Sequence, residues 1–440
     1  MASASPNGNA STALRNIGIA AVVLGGIYAA YAGYVDRSKV TRELGRKAHD
    51  LIEKDNPGDY ALAAKKLDEA LDVRGKDKYA VGARAMVATV LWGEYGVEAE
   101  KAKAAEYAEK SVAMKLHTRE AFLGEGLFLA LSGRAAEAEK QMTALVEKGL
   151  TPAEVIEPLG VARARQGRAD AARNDFKQAA EREWRTARYT ALFGDSLFEA
   201  GDFANAAATY RKALEVQPAH VRSLVGKARA DAARGEAVDE AWKTLTELEG
   251  KPSDELPPVM KARVLAGKAE VLLAQGKFAE AEQAAQAAVQ AEVALDPASA
   301  FAHDDLGVAL ARQKKDGALV AFKKAISIAP AVARFSFRGA LELASAGQAE
   351  SGRELLDLWA KNNKADDDFQ VARGDFLLAT GDVSEAVKAF EAALADNAVN
   401  AEAWSKKGYA LRQLALKSGS DKKKLYDGVR EAFEKAVGIR

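Results

Sequence analysis

The sequence predicts an all-α protein, a superhelical solenoid of stacked helix-turn-helix hairpins preceded by one transmembrane helix. Three observations carry this. Glycine recurs at a fixed spacing through the chain, an uncharged apolar run stands near the N-terminus, and the apolar–polar alternation of strands is missing. The chain has 440 residues, of which 48% are hydrophobic, enough material for one long repeat array with a continuous core. Lys plus Arg and Asp plus Glu both total 63, a balance that argues against nucleic acid as a partner. Cysteine is absent, and the four histidines share no metal-ligand spacing. No metal and no cofactor is expected.

The elements follow in order. Residues 1–16 read as a flexible polar tail. Residues 17–35, IGIAAVVLGGIYAAYAGYV, hold no charge and have the length of a bilayer-spanning helix, with Tyr28, Tyr31 and Tyr34 toward one end as an aromatic belt. A cleaved signal peptide with Ala30-Tyr31-Ala32 at its site competes with that reading, and so does a buried core helix. Arg37, Lys39, Arg42, Arg46 and Lys47 follow the run, whereas Arg15 alone precedes it. The positive-inside rule then keeps the C-terminal bulk in the cytoplasm. A periplasmic repeat domain on a bacterial inner membrane is the alternative.

From residue 38 onward the chain reads as helical hairpins. Gly133, Gly167, Gly201 and Gly235 are spaced by 34 residues, and Gly347 and Gly381 repeat that interval. Residues 187–220 hold the fullest copy. Gly194 is the small residue of the first helix and Gly201 the turn. Ala206, Tyr210 and Ala213 form a small-large-small face on the second, and Pro218 ends it. Gly374, Gly381, Ala386, Phe390 and Ala393 repeat the phase, as do Gly58, Tyr60, Ala63, Leu67 and Ala70. On these residues the chain resembles the tetratricopeptide-repeat family, and in layout its membrane-anchored bacterial members.

The resemblance implies a right-handed superhelix, here of about eleven hairpins. Some copies depart from it. Glu240 stands where a small residue is usual, the turn around Lys314–Gly317 is short, and Gly352 and Leu356 replace an Ala and an aromatic. The interval from Gly235 to Gly276 is 41 residues, with the surplus in the Pro-rich stretch GKPSDELPPV. The array is therefore divided into 38–250, a linker at 251–259 serving as a bend, and 260–440. Residues 417–424, KSGSDKKK, read as a basic mobile loop, and 425–438 as a last second helix with no polar cap after it.

In the family, the first helix of each hairpin lines the concave side. That geometry puts Arg188, Arg222, Arg229, Arg263 and Arg334 in a groove suited to an acidic peptide segment. Asp195, Glu270, Asp304 and Asp375 fall in the same groove and reduce its field. The Lys and two Asn with which chaperone-tail-binding members hold a carboxylate are not reproduced. Trp242, Trp359 and Trp404 read as core, with Trp184 alongside them, and Trp92 is unassigned. Asp304-Asp305 and Asp366–Asp368 read as acids favoured at helix N-termini. Phosphate-loop, dinucleotide, zinc-protease and nucleophile-elbow motifs are missing, so no catalytic residue is assigned and no enzyme is expected. The expectation is a membrane-anchored scaffold that binds protein partners in assembling or stabilising an envelope complex of secretion, pilus or motility type. A holdase for client proteins near the membrane and a structural subunit that self-associates through the C-terminal hairpin are the alternatives.

Overall fold

The computed structural model describes residues 7–291, 299–417 and 422–439, with side chains from residue 22 onward except 29–32. Every regular element among them is helical. The first three hairpins pair α1 (Asn7–Ile52) with α2 (Pro57–Val73), α3 (Lys78–Gly93) with α4 (Lys101–Ala113), and α5 (Arg119–Leu131) with α6 (Ala135–Glu147). Next come α7 (Ala153–Arg165) and α8 (Ala169–Arg182), α9 (Ala187–Glu199) and α10 (Phe203–Val216), and α11 (Val221–Arg234) and α12 (Val238–Glu249). The chain continues with α13 (Pro258–Ala274) and α14 (Phe278–Gln290), then α15 (Ser299–Arg312) and α16 (Ala318–Ile328). Three hairpins complete it: α17 (Ala333–Ser345) with α18 (Ala349–Asn362), α19 (Asp367–Thr380) with α20 (Val383–Asp396), and α21 (Ala401–Lys417) with α22 (Lys422–Ile439).

Local chemistry explains the helix boundaries. The recurring turn glycines adopt positive φ, +86° at Gly133, +81° at Gly201 and +92° at Gly381, where a Cβ would be strained. Pro57 and Pro258 open α2 and α13, where no N–H is needed. Asp77, Thr118, Asp202 and Asp366 each accept a hydrogen bond from a backbone N–H in the first turn that follows.

Small residues set the stacking distance. A Cβ on Gly194 would lie 2.7 Å from the Tyr210 ring, and one on Gly226 only 2.3 Å from it. The ring of Tyr210 is thus gripped between α9 and α11, and its hydroxyl donates to Asp195 at 2.6 Å. Ala206 and Ala213 complete the contact face, both fully buried.

Several expectations are corrected. Glu240 is exposed, and the small position of α12 is filled one residue later by the buried Ala241. Asp304 and Asp305 lie inside α15 and are fully buried, so they are not helix-end acids, whereas Asp366 does cap α19. Trp92 and Trp359 are buried and Trp242 is partly so, but Trp184 is 61% exposed with Arg185 stacked on it. Residues 251–257 are irregular, and Pro258 and Val259 open α13. Leu256 and Val259 are buried, and the Val259 N–H donates to the carbonyl of Tyr95 at 3.2 Å. One apolar cluster runs from Ala48 to Leu131 and on to Val221–Val271, so the core does not divide there. Lys422–Lys424 form the first turn of α22, and residues 418–421 of the stretch read as a loop lie outside the described residues.

Among the described residues no helix is long and apolar enough to cross a membrane. The run 17–35 is helical backbone within α1, and the side chains of 17–21 and 29–32 lie outside the described ones. The described side chains of the run include exposed Val22, Leu24, Ile27, Tyr28 and Tyr34. Burial in the solenoid starts at Thr41, and Ala48 is fully enclosed.

Candidate functional site

The five arginines lie on α9, α11, α13 and α17, and carboxylates of the same chain hold them. Arg188 is 2% exposed. Its Nε donates to Glu157 at 2.9 Å, its Nη1 to Asp55 at 3.1 Å, and its Nη2 to Glu94 and Glu157. Arg222 donates to the other oxygen of Glu94 at 2.8 Å and lies 3.9 Å from Asp195. Arg263 reaches the same Asp195 at 3.0 Å. Arg229 makes a bidentate pair with Glu270 at 2.9 and 3.2 Å while its guanidinium lies over Phe198 and Phe301. The result is a column of alternating charge along the inner side.

Closure of the superhelix supplies the first of those acids. Asp55 sits between α1 and α2 at φ +45° and reaches α9 and α11. His220 Nε2 lies 3.0 Å from its Oδ2, the Tyr60 hydroxyl donates to its Oδ1 at 2.6 Å, and His220 Nδ1 lies 2.7 Å from Ser223 Oγ. Next to it, Asn56 accepts from the Val221 N–H at 3.0 Å, and Gln217 donates to the Lys54 carbonyl. The loop before α2 is thereby bound to Arg188 and to the start of α11. Arg188 and Arg222 are thus paired within the chain. Nothing in local sequence signals it, because the partners lie 133 and 165 residues apart.

The column shifts its own ionisation. Burial pushes the Asp55 carboxyl up, but Arg188 and then His220 outweigh it and hold it well below the usual range. Burial raises Glu157 to about 7 despite Arg188. Burial, then Glu270, raises Asp305 to about 8 against the pull of Arg338 and Arg334. Arg334 is lowered by burial and by the neighbouring Arg338.

Further along, the inner face opens. A cavity of about 540 Å³ lies among α11, α13, α15 and α17, with Arg234, Arg312, Arg334 and Arg338 in its wall beside Phe203 and Phe278. Arg338 donates to Asp304 at 2.8 Å and Arg312 to Glu342 at 2.8 Å. Arg334, whose guanidinium lies over Phe203 and Phe301, has its Nε 3.4 Å from Asp304. Of the five arginines read from the sequence, Arg334 alone lines this cavity. The sequence reading missed Arg312 and Arg338, although Arg338 follows Arg334 by one helical turn and shares its face.

Residues 191–255 and 371–438 match the family model described as tetratricopeptide repeat. No curated protein matches the chain. Among solved structures, human IFIT1 as a dimer with m7Gppp-AAAA is 14% identical, with 90% of this chain and 94% of that one covered at a TM-score of 0.45. The Cut9–Hcn1 hetero-tetramer of the APC/C is 16% identical, with 91% and 87% covered at 0.38. Pseudomonas aeruginosa pilF is 19% identical, with 49% and 92% covered at 0.33.

Proposed function

We propose that this chain, a tetratricopeptide-repeat protein, is a membrane-tethered scaffold that holds protein partners in an assembly at the bilayer surface. The open cavity of about 540 Å³ on the inner face is the observation that carries the binding role. The Asp55 loop is paired with Arg188 and His220, and we place the partner segment at the cavity. Its wall carries Arg312 and Arg338, which a partner carboxylate would share with Glu342 and Asp304, and apolar contact at Phe203 and Phe278. A segment pairing a carboxylate with an apolar side chain fits both.

The tether is supported by α1. Its exposed Val22, Leu24, Ile27 and Tyr28 stand outside the solenoid core, and the helix continues without a break into the first hairpin. A cation-rich stretch after the run favours repeats on the cytoplasmic side. Reporter fusions at the C-terminus test that orientation. Photo-crosslinking from the cavity rim in native membranes tests the scaffold reading. A small fixed set of partners should be captured and then lost in Arg312→Glu/Arg338→Glu. An unchanged set in that variant would remove the cavity from the binding role.

Self-association is a second reading, favoured by one observation. On α22, Tyr426, Phe433 and Val437 are exposed apolar side chains along one helix. Sizing the chain with and without residues 422–440 decides it: a smaller assembly only in the truncated form supports it.

A further inference from the structure

The fold carries a second basic segment to the membrane end of α1. Arg74, in the turn after α2, donates from Nη1 to Ser38 Oγ at 3.3 Å, and its guanidinium lies 5.3 Å from the Tyr34 ring centroid. Tyr34 is in the last turn of the apolar run. The turn 74–78, RGKDK, is therefore pinned level with the end of that run, about 5 Å along the helix axis from Val35 to Ser38. Lys76 and Lys78 in the turn are exposed, as are Arg37 and Lys39 on α1. With Arg74 these make five cations against the carboxylates of Asp36, Asp72 and Asp77. The turn itself is held firmly, since the Arg74 N–H donates to the Ala70 carbonyl and the Asp77 N–H to the Arg74 carbonyl.

We infer that the 74–78 turn and the first turn of α1 beyond Tyr34 form one surface that docks on anionic lipid headgroups. The inference rests on the membrane tether proposed above and adds a second, electrostatic contact to it. Because α1 runs unbroken from the apolar run into the first hairpin, the surface cannot swing away from the bilayer on a linker. Cations within a Debye length of an anionic leaflet are attracted to it, and those beyond are screened. Docking would fix the tilt of the solenoid and leave the cavity among α11, α13, α15 and α17 at a set orientation to the membrane.

The absence of cysteine gives a clean probe. Gly75 is exposed, and a Cβ there meets only the Leu71 carbonyl at 3.6 Å, so Gly75→Cys accepts an environment-sensitive dye. The full chain is reconstituted into vesicles of phosphatidylcholine alone, or with a third phosphatidylglycerol, and flotation and dye emission are read together. Flotation is expected with both, with a blue shift only in the anionic vesicles. That shift should weaken roughly fivefold per lysine removed in Lys76→Gln/Lys78→Gln. It should vanish at about 0.5 M salt. Flotation with both and equal emission would overturn the headgroup contact and leave the tether standing. Flotation only with anionic vesicles would support the contact and overturn the tether. Flotation with neither would overturn both.

Discussion

Asp55 Oδ1 lies 3.1 Å from Arg188 Nη1 although 133 residues separate them. Both groups are 2% exposed, so the pair joins the first hairpin to the fifth inside the protein. Removing Arg188 takes from the buried Glu157 the cation it is paired with and leaves Asp55 to His220 and Tyr60, while Arg222 still holds Glu94. Arg188→Met should destabilise the fold by about 3–5 kcal/mol, the cost of stranding buried charge. Urea unfolding measures it. Asp55→Asn should cost less, since Arg188 keeps Glu157 and Glu94.

The raised carboxyls give stability a pH slope. Asp305 goes from 3.8 to about 8 and Glu157 from 4.5 to about 7, so both hold protons in the folded state that the unfolded chain releases. Their contribution is complete below those unfolded values and is lost as pH rises through about 7 to 8. Asp55 acts oppositely: its contribution is present above 3.8 and is lost as pH falls below that. Urea midpoints should therefore fall from about pH 4.5 to about pH 8.5. Asp305→Asn should flatten the upper part of that fall, and an unchanged slope would show that Asp305 is ionised throughout.

The grip on Tyr210 should appear as coupling. Gly226→Ala places a Cβ 2.3 Å from the ring and should cost about 1–3 kcal/mol by overpacking. Tyr210→Leu opens a gap and costs stability alone. Together they should cost less than their sum, by about 0.5–3 kcal/mol in a double-mutant cycle. Simple additivity would show that the α9–α11 spacing does not depend on that ring.

Two tryptophans separate core from surface. Trp92 is 3% exposed and packs 5.9 Å from Phe128, so Trp92→Ala should cost about 3–5 kcal/mol. Trp184→Ala should change stability by no more than about 0.5 kcal/mol. Chemical denaturation followed by circular dichroism measures both without relying on the removed fluorophore.

The sequence by itself determined the hairpin. Turn glycines at 34-residue intervals, small residues at Ala206 and Ala386, and Tyr210 or Phe390 between them specify two helices and the face they bury. These are local rules, set by φ sign, side-chain volume and helical period, and they repeat wherever the residues repeat. The same rules single out Arg188, Arg222, Arg229, Arg263 and Arg334 as one set. Only the tertiary structure decided what those arginines meet. Asp55 reaches Arg188 because successive hairpins rotate until the first lies beside the fifth and sixth, and no periodic pattern encodes which distant loop arrives there. Asp304 and Asp305 show the same limit. Acids in sequence look solvated, yet these two are enclosed because Arg334 and Arg338 come from the next hairpin to cover them. Charge pairing depends on distance in space, so its partners are fixed by closure of the solenoid and not by position in the chain.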